Sequence, residues 1–553
     1  MLDQDLLIEE AVFRVGEVVA VVGRQIKVRV DRAKNGSHLL YRGQLLRNVS
    51  VGGYVKISKG FSDLIGKVDG EEITPHLGAD PYQAQRDRLD RTLTVSLIGF
   101  VTKDRFRRGV RELPLVGNEC FLLSDTEFDR IHSFVSERDT PISIGKLAME
   151  KEQLVRVGVN ALFASHIGIF GNTGSGKSYT LAKLYHEMFE IYGDQPAFHQ
   201  KARVLIIDFN GEYVNAEGAA PNERCGSVIA KSELKTEYVL STRTDTGDRL
   251  PLPKEALEDP TIWTVLLDAT EKTQAPFLTR ALRSEYWERR LGDANSLTEA
   301  IASIVYTAIR SSDATLEKSL IVQFLEEVQG CFGDAAPGDL GHYVEDIRTR
   351  LHYHSANKTY YYVDPSGTTI WSSDQAAVHA LAFDRFAAMT VDPSLIEGVE
   401  RIRFKIVLQY YNDVFKGFAN REHLGPLIKR LESRMPQIRR VLEVSADPIL
   451  ATPLTVVSLR GVNLEMRKVI PLLICRQLYD AKKGKPGSNQ YLNIVIDEAH
   501  NILSNVSTRE SEAWKDYRLE TFEEIIKEGR KFGVFLTIAS QRPHDISETI
   551  ISQ

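Results

Sequence analysis

An α/β core divided by a long helical insertion, with a small β-barrel in front of it, is the architecture that this 553-residue sequence predicts. Three observations predict it. Residues 171–178 read GNTGSGKS and follow the apolar run Ile167, Gly168, Ile169 and Phe170, so a strand, a glycine-rich turn and a helix succeed one another. Two further short apolar strands, at 492–496 and 534–539, resume more than three hundred residues after Lys177. Before all of these, residues 10 to about 115 alternate apolar and polar side chains between closely spaced glycines.

The elements follow in order. Ile26, Val28 and Val30 alternate with Lys27, Arg29 and Asp31, and Leu93, Val95, Leu97 and Val101 repeat the period of two, with Gly99 interrupting it. Short runs of this kind suit a closed antiparallel barrel better than a parallel sheet. Leu181, Leu184, Tyr185 and Met188 recur at helical spacing behind the glycine-rich turn. Val204 to Ile207 is a strand ending in Asp208, followed by FNGEY. From about 215 to 450 the pattern is mainly helical: Phe277, Leu278, Ala281, Leu282 and Tyr286 share one face, further helices are expected near 297–310, 316–330 and 398–416, and YYYVDPSGTTIW at 360–371 reads as a hairpin. The expected domains are therefore a barrel over 1–125, a first part of the core over 126–214, a mainly helical insertion over 215–450, and a second part of the core over 451–553.

The turn at 171–178 fits G-x-x-x-x-G-K-[ST], a phosphate cradle that predicts ATP binding. Backbone N–H groups of Gly171, Asn172, Thr173, Gly174, Ser175 and Gly176 converge on phosphate, Lys177 reaches the outer phosphates, Ser178 is suited to Mg²⁺, and Tyr179 continues into the helix, whose N-terminus favours anions. The strand at 493–496 ends in Asp497 and Glu498. Paired with the cradle, Asp497 would complete the Mg²⁺ shell and Glu498 would orient and polarise the attacking water. The strand at 534–539 runs into Ser540 and Gln541, which places Gln541 as a γ-phosphate sensor at the carboxyl edge of the sheet. Arg530, in EGRKFG, is either an arginine finger offered to a neighbouring subunit or a solvated arginine. Asp208 and Glu212 are candidates to extend the acidic wall.

In combination SHIGIFGNTGSGKS (165–178), IIDFNGEY (206–213), IVIDEAHN (494–501) and EGRKFGVFLTIASQRPHDIS (528–547) resemble the HerA family within the HerA/FtsK group of ATPases. The resemblance implies a RecA-like core, a homo-hexameric ring, and ATP- and Mg²⁺-dependent translocation of double-stranded DNA. It also implies an effector enzyme, a nuclease or a sirtuin-like NADase, docked on the N-terminal barrel, in DNA end processing or antiphage defence. A second reading is a ring-shaped platform that regulates such an effector with ATP as a state signal. Two departures stand out: Ser165 occupies the place before His166 where many members carry Arg, and the sequence stops at Gln553, where the family usually continues.

Composition narrows the classes. Hydrophobic residues make up 43% and charged residues 26%, and no apolar run reaches the roughly 18 residues of a membrane span, so no membrane association is expected. The acidic N-terminus does not resemble a secretory signal, which leads to an expected cytoplasmic location. Cys120, Cys225, Cys331 and Cys475 are scattered and read as buried small hydrophobes. A net charge of −6 argues against a surface that binds nucleic acid everywhere, while leaving a local channel open. Two basic clusters are candidates for such a channel or for ordinary solvated faces: Lys103, Arg105, Arg107, Arg108 and Arg111, and Lys429, Arg430, Arg434, Arg439 and Arg440.

Overall fold

A computed structural model describes residues 11–41, 44–60, 62–75, 89–102, 105–136, 139–147, 154–214, 229–311, 318–389, 391–485, 489–505 and 512–552. The chain divides into two compact units, 1–159 and 160–553. Cys225 and Lys103 lie outside the described residues.

In the first unit six strands close on themselves: β1 (Arg14–Val22), β2 (Gln25–Val30), β3 (Tyr54–Lys59), β4 (Ser62–Pro75), β5 (Leu89–Thr102) and β6 (Glu119–Leu122). Their order is β2-β1-β6-β3-β4-β5, and β5 pairs back to β2, with every pairing antiparallel. Closure leaves none of these six strands as a free edge. The alternation read from the sequence is what fills the interior: Ile26, Val28, Leu93 and Val95 are fully buried among Val18, Val55, Ile57 and Cys120, while Lys27 and Arg29 face out. Residues 126–159 group with this barrel, which displaces the expected boundary at 125. Behind a helix capped by Ser124 (Asp125–Ile131) they form a three-stranded sheet of Ser133–Phe134, Leu154–Gly158 and Pro141–Lys146.

The second unit is built on a six-stranded parallel sheet. Its strands are β7 (Ile167–Phe170), β8 (Ala202–Asp208), β9 (Lys235–Ser241), β10 (Leu454–Gly461), β11 (Tyr491–Ile496) and β12 (Val534–Ser540), in the order β7-β12-β11-β8-β10-β9. Val204–Ile207 and the whole of β12 are buried, as continuous apolar runs covered on both faces must be. Helix α1 (Lys177–Tyr192) buries Leu181, Leu184, Tyr185 and Met188, and the Tyr185 hydroxyl meets Thr537 Oγ1 at 2.8 Å, pinning the helix to β12.

The insertion is helical between Pro260 and Val441, including Ala294–Arg310, Lys318–Phe332, Gly398–Phe415 and Arg421–Val441, and the 360–371 segment does form a hairpin, joined by a third strand, Leu351–His354. Its apolar residues share one continuous core with the sheet. Two expectations need correction. The sheet takes β9 from within the span assigned to the insertion, so the helical part starts later than 215. Tyr286 lies on a separate short helix, Glu285–Arg290, and is 44% exposed, because the helix carrying Phe277 and Leu282 ends at Leu282.

Candidate nucleotide site

Every strand of the sheet is parallel, so all carboxyl ends open on one edge, where open α/β sheets bind ligands. The order sets which residues meet there. β12 lies between β7 and β11, so the glycine-rich turn and the acid pair stand two strand spacings apart, about 9.6 Å, with the end of β12 between them. The Gly171 N–H reaches the Ser540 carbonyl at 3.4 Å, and the Ala499 N–H donates to the Ala539 carbonyl at 2.8 Å.

The turn needs its glycines. Gly174 and Gly176 adopt φ of 78° and 89°, in the left-handed region that side chains disfavour, and a Cβ at Gly171 would lie 2.4 Å from Ser175 Oγ. Gly176 then caps α1, so Lys177 and Ser178 sit in its first turn. Lys177 is buried and its Nζ folds over the turn towards the Asn172 carbonyl at 3.4 Å. Asn172, Thr173 and Ser175 are exposed, and the Tyr179 side chain, 64% exposed, leaves its backbone N–H as its contribution to the helix terminus.

A chain of hydrogen bonds crosses from the turn to the acid pair. Thr173 Oγ1 donates to Gln541 Oε1 at 2.7 Å, and Gln541 Nε2 donates to Glu498 Oε1 at 2.6 Å. Glu498 is held at φ 47°, a strained conformation for a residue with a side chain. Its second oxygen, Oε2, is buried with no hydrogen-bond donor and faces His500 Nδ1 at 3.3 Å. Burial lowers the His500 pKa below its ordinary 6.5, with Arg542 and Lys177 pushing the same way and Glu498 and Asp545 opposing.

Asp497 is 1% exposed. Its Oδ1 accepts the Glu498 N–H at 2.9 Å and its Oδ2 accepts the Tyr213 hydroxyl at 3.3 Å. Burial, then the Glu212, Glu498 and Asp208 carboxylates, push its carboxyl up to about 7, against the pull of the Glu498 N–H. Such a site is short of positive charge, and a divalent cation supplies it. The donor set fits that ion: a carboxylate oxygen of Asp497 and the Ser178 hydroxyl, which both contact Tyr213.

The structure brings Lys177, Ser178, Asp497, Glu498 and Gln541 to one edge. Arg530 is not among them. It sits in the turn Gly529–Phe532 ahead of β12, at the amino edge of the sheet, and the seven-residue strand sets it about 20 Å from the turn at 171–178. Within its own chain it touches the surroundings of His166, whose pKa burial and Arg530 both lower. Asp208 does not face the site either. Its Oδ1 accepts the N–H groups of Asn210, Gly211 and Glu212, and its Oδ2 accepts that of Tyr213 at 2.8 Å, so the carboxylate builds the turn after β8. The residue that sequence reasoning passed over is Tyr213, at the end of IIDFNGEY; its burial beside acids is visible only in the fold.

The four arginines of the second basic cluster are engaged within the unit, while Lys429 is exposed. Arg430 donates to the Leu267 carbonyl and to Gln274 Oε1, each at 2.6 Å, and Arg434 donates to the Leu266 carbonyl and pairs with Glu465. Arg439 pairs with Glu400 and Arg440 with Asp245. Of the first cluster, Arg105, Arg107 and Arg108 lie on a short strand with exposed side chains, and Arg108 stacks over the Phe134 ring.

A family model described as Helicase HerA, central domain, matches residues 142–328. The DNA double-strand break repair helicase HerA of Sulfurisphaera tokodaii is 22% identical over 450 residues, which cover 80% of this chain and 62% of that protein. Over these stretches the chain is similar to the HerA family. HerA of Saccharolobus solfataricus is 30% identical over 136 residues, covering 23% of this chain and 26% of that one. The chain thus spans about 62% of the length of the first of these HerA relatives and less of the second. Among solved structures, VirB4 of Thermoanaerobacter pseudethanolicus superposes with a TM-score of 0.34 at 14% identity, over 76% of this chain and 82% of that one, a fit too loose to bear on the site.

Proposed function

We propose that this chain hydrolyses ATP with Mg²⁺ and uses the cycle to move double-stranded DNA. One observation carries the reading: Glu498 Oε2, a buried oxygen without a donor, stands one hydrogen-bonded residue away from a phosphate cradle. A buried acceptor in that condition costs free energy, and a water delivered there relieves it. Lys177 and the N–H groups of 171–176 hold the phosphates. Ser178 and Asp497 hold Mg²⁺, which neutralises charge on the phosphates. Glu498 accepts a proton from the attacking water while Gln541 fixes its other oxygen, so the carboxylate cannot rotate away from the nucleophile. Arg530 lies at the opposite edge of the sheet from its own chain's site, so its place as a finger is the site of an adjoining subunit.

The family resemblance supports the setting: a ring of six, with an effector enzyme of the nuclease or sirtuin-like NADase type on the N-terminal barrel. Mass measurement of the assembly with and without ATP tests the ring. Turnover measured on the purified chain, with and without duplex DNA, tests the motor. Stimulation by DNA, together with loss of turnover in Glu498→Gln, is expected. Turnover indifferent to DNA but raised by a docked effector would replace the motor with the regulatory platform.

A further inference from the structure

We propose that Tyr213 is the positioning residue that orients the Asp497 carboxylate for the divalent cation. This rests on the nucleotide-site reading above. The phenol donates to Asp497 Oδ2 at 3.3 Å and contacts the Ser178 hydroxyl, so one side chain touches both residues assigned to Mg²⁺.

The turn that carries Tyr213 is constructed around that placement. The four successive N–H groups from Asn210 to Tyr213 all bond the Asp208 carboxylate, and Gly211 supplies φ of 78° where a Cβ would press on Arg460 Cδ at 3.0 Å. The Tyr213 carbonyl accepts Lys235 Nζ at 2.7 Å, and that lysine is itself buried against Glu237. Backbone and ring are therefore fixed from both sides, and Tyr213 is 1% exposed.

Packing alone asks for no hydroxyl here. A phenylalanine fills the same space without burying a polar atom, and a buried O–H is tolerated only where it is bonded. The bond it makes is to the acid that burial and three carboxylates hold in a poor place for charge. A phenol donating to Oδ2 limits rotation of the carboxylate and shares its charge. Partners that fix metal-binding side chains in this way are worth about 10–100-fold in metal affinity.

The test is Tyr213→Phe in the full chain, read by binding of a fluorescent ATP analogue in EDTA and then across a Mg²⁺ titration, with Mn²⁺ binding followed by EPR. Affinity in EDTA is expected to stay within about twofold of wild type, while half-saturation by Mg²⁺ or Mn²⁺ moves up by about tenfold or more. A merely structural loss would weaken both alike, and that result, or an unshifted metal titration, overturns the proposal. Tyr213→Trp serves as the second variant if the first fails to fold, since its indole N–H keeps a donor; a metal requirement nearer to wild type is then expected, and one as weak as without a donor counts against the role. A wild-type chain with no metal-dependent nucleotide binding overturns the nucleotide-site reading itself, a signature distinct from either variant's.

Discussion

At the scale of single residues, the site holds charge and strain that chemistry needs and stability does not. Glu498 combines φ of 47° with a place beside buried Asp497, whose carboxyl its charge helps to push up, and left-handed backbone at a residue of this kind costs on the order of 1–3 kcal/mol. Glu498→Gln keeps an acceptor for Gln541 and removes one negative charge. The nucleotide-free protein is expected to gain about 0.5–2 kcal/mol in chemical denaturation while turnover falls by about 100-fold or more. A variant less stable than wild type would show that the acid cluster is not under electrostatic stress. Much of this site was legible because each contributing strand announces its end: Ser178 closes a recognisable turn, Asp497 and Glu498 interrupt an apolar run, and Gln541 follows another. Tyr213 was not legible, because a tyrosine two residues after a glycine looks like loop chemistry until the fold shows that Asp208 pulls the loop inward.

Among elements, the same physics separates what patterning reveals from what it hides. The strands β8, β11 and β12 are buried on both faces and read as mainly apolar runs, whereas β9, KTEYVLS, is an edge strand with Val239 turned outward, and its mixed pattern is hard to tell from a loop. Residues 126–159 were equally opaque, since strands of two to six residues carry too little alternation to register. The helix Arg421–Val441 shows what a charge pattern hides: the sequence leaves its basic residues open as a nucleic-acid or a solvated face, and two of them turn inward. Arg430 and Arg434 satisfy the last carbonyls of the helix Pro260–Leu266, groups that an α-helix leaves without partners. Arg434→Met is therefore expected to cost about 1–3 kcal/mol, measured by urea unfolding, and to leave the salt dependence of duplex binding unchanged. A salt slope reduced by about one ion with stability intact would return this helix to the DNA.

Across the whole molecule, the division of the nucleotide site makes the insertion part of the catalytic unit rather than an appendage. β7, β8 and β9 precede it, β10, β11 and β12 follow it, and its core is continuous with theirs, so loosening the insertion loosens the path between Lys177 and Asp497. A buried carboxyl in that insertion exposes the coupling to measurement. Glu327 Oε1 accepts the Tyr411 hydroxyl at 2.7 Å, while Oε2 has no donor and meets Glu432, with Arg403 nearby. Burial first, then Glu432, raises its pKa well above the ordinary 4.5, so one of the two carboxyls keeps its proton and bonds the other. Because the folded state holds that proton more tightly than the unfolded state, this carboxyl's contribution to stability is full below 4.5 and declines as pH rises towards about 8. Glu327→Gln preserves an acceptor for Tyr411 and supplies a permanent donor to Glu432. Thermal unfolding between pH 5 and about 8.5 is expected to show a shallower decline in this variant and a higher midpoint at the alkaline end. Since the core is continuous, ATP turnover should retain its activity to higher pH along with the midpoint. A variant that unfolds at the wild-type midpoint throughout would mean that Glu327 ionises freely and that the insertion opens to water without disturbing the sheet.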